Sequence, residues 1–383
     1  MKRVNMPKLL STAALAAACL ASAVCAGAQP RPEQGSQMSE QVFKNVTILK
    51  GIPANQFMAT MGFFSASLGE NCTFCHVQES GGDWGRYADD NANKRTARGM
   101  IAMMNGINKT YFAGRRLLTC YSCHRGGDRP RVTPNLAELY GPPLTEEPDT
   151  MQAPSAKAPS VDAVLDKYIQ ALGGSQRVAA ISSFAAKGTF EGYGEQKRPV
   201  EIFAKAPNQR SMVVHAGAAK AGAAEDSTTT YDGRAAWIAA PTTERPLPLL
   251  DLTGGDLDGA RLDALLSFPA RIKDALTGWR AGFPTFIDDR PVQILQGSTD
   301  GRYPVNLYFD GKTGLLARQV RYSDSPVGLS PTQIDYDDYR DVAGVKMPFR
   351  LTITWLDGRS TVVLTEVQPN VPVDAAKFAR PAR

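Results

Sequence analysis

Two pentapeptides decide how this sequence folds, Cys72-Thr73-Phe74-Cys75-His76 and Cys120-Tyr121-Ser122-Cys123-His124. Both have the pattern C-x-x-C-H, the attachment signature of c-type haem. Two cysteines three positions apart on a helical turn can both form thioethers to the macrocycle edge, and the following histidine can reach the iron. A Cys₄ or Cys₂His₂ zinc site could use the same residues, but zinc gives no reason for histidine to follow the second cysteine both times. The sequence therefore predicts two covalently attached haem c (heme c) groups.

Residues 1–28 have the pattern of a secretory signal peptide. Lys2, Arg3 and Lys8 form a positive n-region, an apolar stretch follows from 9 to about 24, and Ala26-Gly27-Ala28 supplies small residues for cleavage. The apolar stretch is too short and too rich in alanine for a membrane span. We therefore expect export, which places the mature protein in the periplasm.

Composition indicates a globular chain of two domains. Hydrophobic residues make up 43% and charged residues 21% of the 383 positions, and this length exceeds one ordinary domain. The formal net charge of +5 falls to +2 once the three basic leader residues are removed, with 40 basic against 38 acidic residues. This balance gives no support to nucleic-acid binding. Cys19 and Cys25 leave with the leader, and the residues before them support a lipid anchor only weakly.

The number of histidines limits the candidates for the second axial ligand of each iron. The chain has three histidines, and the third, His215, lies far downstream at the predicted end of a strand. The chain therefore has too few histidines to give two histidine ligands to each of the two haems. The second ligand of an iron can instead be methionine or lysine, or the position can be open. Two predicted helices, each ahead of one motif, carry methionines: Met58 and Met61 within 53–68, and Met100, Met103 and Met104 within about 92–108.

The residues that flank both motifs form further segments with a recognisable sequence. It comprises Val42-Phe43-Lys44-Asn45-Val46, Gln56-Phe57-Met58-Ala59-Thr60-Met61, Asn71-Cys72-Thr73-Phe74-Cys75-His76, Ala97-Arg98-Gly99-Met100-Ile101-Ala102-Met103, Ile107-Asn108 and Thr119-Cys120-Tyr121-Ser122-Cys123-His124-Arg125-Gly126. With these residues, segment 40–126 resembles the cytochrome c subunit family of photosynthetic reaction centres. The resemblance implies that His76 and Met61 ligate one iron and that His124 and Met100 ligate the other. Met58, Met103 and Met104 are the alternative ligands, and under this assignment they pack against the macrocycles.

This chain departs from the family pattern in two ways. The reaction centre subunit carries four haems in two such pairs, whereas this chain has one pair. The family's histidine between the second methionine and the second motif has no counterpart in 101–119. That histidine serves a haem of the absent pair, so its loss fits a dihaem, single-pair version.

After the second motif the composition changes to a proline-rich stretch, predicted as a linker over 129–160 with a short helix near 136–140. The expected organisation is a mainly α dihaem domain at 38–128, the linker, and a second domain at 161–383.

The second domain is predicted as an antiparallel β half-barrel with helices, giving a mixed α+β chain. Val161–Leu172 is predicted as a helix closed by Gly173, and Leu257–Leu276 as a helical interlude between alternating runs. Turn signals separate predicted strands at Asp232-Gly233, Asp310-Gly311 and Asp357-Gly358. The pattern from Tyr308 to Pro348 resembles periplasmic outer-membrane lipoprotein carriers, which implies a half-barrel that holds a lipid or lipoprotein against a helical lid.

Three functions remain. The first is a dihaem electron carrier that serves redox partner proteins, among them a membrane-bound photosynthetic or respiratory complex. The second is a dihaem peroxidase-like enzyme with one open haem, where Glu70 or Arg98 would have to act as the distal acid–base group. The third is a lipid-binding or partner-binding protein with an accessory haem module. The run Asp335, Asp337, Asp338 and Asp341 is interpreted as a solvated strand edge and turn rather than a cation site.

Overall fold

Short helices precede a large antiparallel sheet in this chain. The computed structural model describes residues 37–76, 83–141, 158–192, 196–216, 226–299 and 302–381. These residues belong to one compact unit. The predicted signal peptide at 1–28 and half of the predicted linker at 129–160, residues 142–157, lie outside the described residues.

Eight α-helices are described over these ranges. They are α1 (Ser39–Val42), α2 (Ala54–Leu68), α3 (Ala92–Tyr111), α4 (Cys120–His124), α5 (Leu136–Leu139), α6 (Val161–Leu172), α7 (Ser175–Ala180) and α8 (Gly254–Leu266). Short 3₁₀ turns lie at Cys72–Phe74, Trp84–Ala88, Pro269–Asp274 and Ala375–Phe378. The second C-x-x-C-H motif is therefore α4 itself, and the first lies on a 3₁₀ turn.

Fourteen strands form one antiparallel sheet in the described part of the chain. They are β1 (Ser183–Glu191), β2 (Lys197–Lys205), β3 (Gln209–Val214), β4 (Ser227–Tyr231), β5 (Ala236–Ala239), β6 (Leu249–Leu252), β7 (Thr277–Ala281), β8 (Thr285–Ile287), β9 (Arg290–Thr299), β10 (Tyr303–Asp310), β11 (Leu316–Ser325), β12 (Gly328–Val342), β13 (Val345–Trp355) and β14 (Gly358–Pro369). Their order is β6-β5-β4-β3-β2-β1-β14-β13-β12-β11-β10-β9-β7, with β8 paired to β9. The sheet is open, because its edge strands β6 and β7 are not paired with each other in the described part of the chain.

The main helices begin and end at residues whose chemistry fits those positions. The side chain of Asn91 accepts from the Lys94 amide at the start of α3, and Ser160 accepts from Ala163 at the start of α6. Gly69 ends α2 in a left-handed conformation with φ of 67°. Helix α6 spans the predicted residues and is followed by Gly173.

The hydrophobic core lies between the sheet and α6 and α8. Leu165 of α6 and Leu262 of α8 are buried in it together with sheet residues such as Leu307 and Val362. Helix α8 contacts β3, β4 and β5 and also β11, although these strands lie far apart in the sheet order. One helix can reach both groups only because the sheet curves around it.

The prediction of a mixed chain with an antiparallel sheet is confirmed, and the turns at Asp232-Gly233, Asp310-Gly311 and Asp357-Gly358 separate consecutive strands. Three short strands, β6, β7 and β8, were not predicted. The predicted helix Leu257–Leu276 is wrong in extent, because α8 stops at Leu266. Pro269 then begins a 3₁₀ turn, since proline has no amide hydrogen for a continuing α-helix.

The N-terminal helices pack on one end of the sheet. Helix α2 contacts α4 and also β6, β11 and β12. Phe63 of α2, Met104 of α3 and Val327 of the β11–β12 turn are buried together, and we call these three residues the junction cluster. The cluster joins the helices that carry the predicted haem residues to the sheet.

Further contacts cross the same junction. The Asn55 amide donates to the carboxylate of Asp256 at 2.8 Å and accepts from the Thr253 hydroxyl at 2.9 Å. Arg116 forms an ion pair with Asp324 at 2.5 Å. These buried and half-buried polar contacts fix the orientation of the helices on the sheet.

Candidate haem-binding site

The first motif is a 3₁₀ turn held by its own neighbours. The Asn71 side chain accepts from the Thr73 amide at 3.0 Å and from the Thr73 hydroxyl at 2.6 Å. The His76 amide donates to the Cys72 carbonyl at 3.0 Å. Cys72 and His76 are therefore brought onto consecutive turns of the backbone, as the chemistry of two thioethers and one iron ligand requires.

The second motif is a single helical turn with a reciprocal cap. The Thr119 amide donates to the Ser122 hydroxyl at 3.0 Å, and the Ser122 amide donates back to the Thr119 hydroxyl at 3.4 Å. Arg125 follows in the left-handed conformation, which ends the helix directly after His124. The Gly126 amide then donates to the Ser67 carbonyl of α2 at 2.9 Å. The motif is thus anchored to the helix that carries Met58 and Met61.

Both motif histidines use Nδ1 to bind a backbone carbonyl. Nδ1 of His76 lies 2.8 Å from the Tyr87 carbonyl, and Nδ1 of His124 lies 3.0 Å from the Gly127 carbonyl. Because a carbonyl only accepts, each neutral imidazole must carry its proton on Nδ1. Nε2 therefore keeps its lone pair, which is the tautomer that an iron ligand needs.

The surroundings of His76 restrict its imidazole further. Its ring stacks on the Tyr87 ring with centroids 4.6 Å apart. Lys94 of α3 donates from Nζ to the same Tyr87 carbonyl at 2.7 Å. Burial lowers the pKa of His76, which favours the neutral ligand form, and burial also lowers the pKa of Lys94.

The four motif cysteines are free thiols. Cys72 and Cys123 are exposed, whereas Cys75 and Cys120 are partly buried. Burial raises the pKa of Cys75 and raises that of Cys120 to about 11. Cys120 packs against the junction cluster, so one attachment point of the second motif is set at the edge of the hydrophobic core.

The predicted methionines differ in environment. Met61 and Met58 are half-buried on α2. On α3, Met104 is buried in the junction cluster, whereas Met100 and Met103 are 40% and 52% exposed. The start of α3 lies next to the first motif, because the Asn93 amide donates to the Phe74 carbonyl. Its end lies next to the second, because Asn108 and Leu118 exchange two hydrogen bonds.

These residues fit haem. Each motif offers two unpaired thiols and a histidine with the correct tautomer. Apolar side chains that a macrocycle would cover, among them Met100 and Met103, are exposed on α3. Met100 and Met103 are three positions apart and therefore share one face of α3, and exposed apolar side chains that lie together mark a binding surface. The axial roles of Met61 and Met100 stay a prediction.

The remaining candidate residues lie in ordinary surroundings. Arg98 is paired with Asp90 at 2.9 Å. His215 follows β3 and lies between Asp226, at 2.9 Å, and Glu201, at 3.1 Å.

The acidic run on β12 is engaged in local contacts. Asp335 pairs with Arg318, Asp338 pairs with Arg340, and Asp341 accepts from the Gly344 amide at the following turn. Across the residues described, no group of three or more His, Cys, Asp or Glu side chains could hold a metal ion. In the same ranges, no helix has both the length and the apolar character to cross a membrane.

Sequence reasoning missed the residues that orient the histidines. Tyr87 and Lys94 lie 11 and 18 positions beyond His76 in the chain, and only the fold brings them to its imidazole. Gly127 lies three positions after His124 and was within reach of a local argument, because the pair Gly126-Gly127 favours a turn close to the motif.

Comparison with solved structures finds a LolA superfamily protein from Nitrosomonas europaea. It aligns with 58% of this chain and 99% of that protein, with 15% sequence identity and a TM-score of 0.38.

Comparison with protein families concerns the N-terminal segment, which carries the two C-x-x-C-H motifs. The family model described as the photosynthetic reaction centre cytochrome C subunit matches residues 3–158. The photosynthetic reaction center cytochrome c subunit of Thermochromatium tepidum is 30% identical over 106 residues, which cover 27% of this chain and 25% of that protein. The corresponding subunit of Roseobacter denitrificans is 28% identical over 142 residues, covering 34% and 38%.

The matches therefore span about a quarter to two fifths of the length of these relatives. The family match over residues 3–158 includes both C-x-x-C-H motifs. The segment that carries the two motifs is thus similar to the photosynthetic reaction centre cytochrome c subunit family, as its sequence predicted.

Proposed function

We propose that this protein is an exported c-type cytochrome that carries electrons through two covalently attached haems. The observation that carries the proposal is the pair of C-x-x-C-H motifs with unpaired thiols, in which each histidine donates from Nδ1 to a backbone carbonyl. The similarity of residues 3–158 to a cytochrome c subunit family supports it. Haem, when bound, supplies one-electron oxidation and reduction at iron.

The chain's own residues prepare that chemistry. Cys72 and Cys75 would hold one haem and Cys120 and Cys123 the other, while His76 and His124 would each supply one iron ligand. Met61 and Met100 would supply the second ligand of each iron. Methionine–histidine ligation raises the reduction potential relative to two histidines, which suits acceptance of electrons from a quinol-oxidising chain.

We infer that the carrier works in the periplasm beside a membrane-bound photosynthetic or respiratory complex. The predicted leader at 1–28 supports export, and the family similarity supports a membrane-bound partner. We place the dihaem domain at 38–128 and the sheet domain at 161–383. A bound lipid or lipoprotein is not part of the proposal, because α6, α8 and core side chains occupy the concave face of the sheet.

Carbon monoxide binding to the reduced, haem-loaded protein tests the proposal. If methionine closes both irons, the visible spectrum is expected to show no rapid change on addition of carbon monoxide. Fast binding to about half of the haem would contradict the carrier and favour the peroxidase-like alternative, with Glu70 and Arg98 as the side chains to substitute next.

Methionine variants test the ligand assignment. Met61→Ala and Met100→Ala are each expected to open one iron to carbon monoxide and to lower one haem's potential, with both haems still attached. Met58→Ala and Met103→Ala are the matched controls on the same two helices and should leave both irons closed. An effect of Met103→Ala without one of Met100→Ala would transfer the role to Met103.

A further inference from the structure

The chain around the second motif is strongly basic. Residues 109–131 contain six Lys or Arg side chains and one acidic side chain, Asp128. Residues 69–99, around the first motif, contain four basic and five acidic side chains. The net charge is +5 around the second motif and −1 around the first, a difference of six charges, although the whole mature chain is nearly neutral.

Backbone contacts hold these basic residues against the second motif from both sides. The two hydrogen bonds between Asn108 and Leu118 place Lys109 and the turn containing Arg115 beside the start of α4. The Arg131 amide donates to the Cys123 carbonyl at 2.9 Å, which folds residues 129–131 back along the motif. The charge is thus gathered around one site in the fold as well as in the sequence.

Most of this charge faces solvent. Lys109, Arg115, Arg125 and Arg129 are exposed, and we call these four residues the basic surface. Arg116 is not part of it, because its guanidinium binds Asp324 and the Ser325 carbonyl at the junction with the sheet.

Apolar side chains accompany the basic surface. Leu117 and Tyr121 are each 54% exposed, and both lie between basic residues in the sequence. Apolar contact area with a charged rim is the usual composition of a transient protein interface. Complementary charge gives such an interface its association rate and its choice of partner.

We propose that the basic surface is the docking site at which an acidic one-electron redox protein exchanges electrons with the haem held by Cys120, Cys123 and His124. This inference rests on the proposed function and adds the chemical class of its partner. One electron passes between that haem iron and the partner's redox centre, so that one is oxidised as the other is reduced, and no proton or group is transferred. A protein partner is favoured over a lipid surface because the charge surrounds a predicted electron-transfer centre.

Stopped-flow oxidation of the reduced, haem-loaded protein tests the surface. The two probes are one-electron oxidants of opposite charge. Hexacyanoferrate(III) is a trianion and represents an acidic partner, whereas tris(phenanthroline)cobalt(III) is a trication. The test variant is Lys109→Glu/Arg115→Glu/Arg129→Glu, which leaves the residue next to His124 unchanged. The control variant, Lys205→Glu/Lys312→Glu/Lys346→Glu, makes the same change in net charge.

The control residues are exposed at the other end of the sheet. Lys312 lies in the β10–β11 turn and Lys346 lies at the start of β13, next to the β12–β13 turn. Both turns are at the opposite end of the strands from the β11–β12 turn, where Val327 packs against α2 and α3. Lys205 lies at the end of β2 that neighbours the end of β14. Because both variants change the net charge equally, a difference between their oxidation rates shows an effect of the position of the charge.

At low ionic strength the test variant is expected to react with hexacyanoferrate(III) about tenfold more slowly than the control variant, and faster with the cobalt complex. The difference should vanish near 1 M salt, where the Debye length is about 3 Å. Poly-L-glutamate, as a probe of acidic polypeptide, should slow the wild-type reaction and not that of the test variant.

Three results would overturn the inference, and they are distinguishable. Equal rates for test and control variants would remove the docking surface while leaving the cytochrome intact. Sedimentation of wild type, but not of the test variant, with phosphatidylglycerol vesicles would reassign the surface to lipid. A spectrum without covalent haem before mixing would overturn the proposed function itself, and this surface with it.

Discussion

The Tyr87 carbonyl connects a lysine to a predicted iron ligand. It accepts from Nδ1 of His76 at 2.8 Å and from Nζ of Lys94 at 2.7 Å. Nζ of Lys94 also donates to the Asp89 carbonyl at 3.1 Å, so that the ammonium group is fixed on one side of the imidazole. A positive charge at this place opposes the additional charge of a ferric iron.

Lys94→Gln is therefore expected to lower the reduction potential of the haem held by His76. For two charges about 10 Å apart at an effective dielectric constant near 20, the interaction is on the order of 1–2 kcal/mol, or several tens of millivolts. A spectroscopic redox titration that resolves two components measures the effect. Arg95→Gln removes a charge from the adjacent exposed position and is the control. Equal shifts for both variants would contradict a specific role for Lys94.

Glycine at the end of α2 permits a close approach to the second motif. Gly69 has φ of 67°, and a Cβ atom there would lie 2.4 Å from the Gly126 carbonyl oxygen. Gly51 has a similar φ of 74° with nothing within 4 Å of its Cβ position. The two positions therefore share the backbone strain that any other residue would meet and differ only in crowding.

Gly69→Ala is expected to destabilise the protein by more than Gly51→Ala. The left-handed conformation costs about 1–2 kcal/mol for both alanines, and the collision with Gly126 adds to the cost at position 69 only. Urea unfolding followed by circular dichroism gives both free energies. Equal losses would mean that the end of α2 does not pack on the second motif as described.

The hydrogen bonds of Asn55 link α2 to the start of α8 through Asp256. Burial raises the pKa of Asp256 above its ordinary value, so the folded protein binds this proton more tightly than the unfolded chain. Its stabilising contribution is present below the unfolded pKa, near 4, and is lost as the pH rises through the folded pKa.

Asp256→Asn should remove this pH dependence. We expect wild type to lose stability relative to the variant as the pH rises above about 4 and through the raised pKa of Asp256, as measured by denaturant unfolding at each pH. Asp274→Asn, at an exposed position, should stay within about 0.5 kcal/mol of wild type throughout. A constant difference between wild type and Asp256→Asn would show that Asp256 does not titrate differently in the folded state.

Elements with strong local signals were predictable, and contacts between distant elements were not. Helix α6 matches its predicted range because Ser160 caps it, its apolar residues repeat at helical spacing, and Gly173 stops it. Strand β8 has only three residues, too few to show an alternating pattern.

The candidate haem site likewise combines features that local sequence predicts with contacts that it does not predict. Both C-x-x-C-H motifs are local and were visible in the sequence. Asn55 and Thr253, by contrast, are 198 positions apart, and nothing in either neighbourhood indicates the other. The same holds for Tyr87 and Lys94 around His76, since neither belongs to a motif.

At the scale of the whole molecule, the junction cluster makes the helices and the sheet depend on each other. Phe63 is 8% exposed and packs with Met104 and Val327, which come from a second helix and from a turn of the sheet. Loss of either partner would leave apolar surface in water. The helices and the sheet should therefore unfold in one transition.

Phe63→Ala is expected to lower the free energy of unfolding by about 3–5 kcal/mol and to shift the haem absorbance and the far-ultraviolet circular dichroism together. Thermal unfolding followed with both signals checks this. Phe286→Ala, at a position 61% exposed, should change neither transition appreciably. Loss of the haem signal well before the sheet signal would contradict a shared transition.

The intact mass of the chain, purified from a host that matures c-type cytochromes, tests the central claim most directly. The account predicts the mass of the polypeptide plus two covalently bound haems, and incomplete attachment of one haem in Cys75→Ser and in Cys123→Ser. A wild-type chain that carries one haem or none, with its cysteines free, would contradict the account.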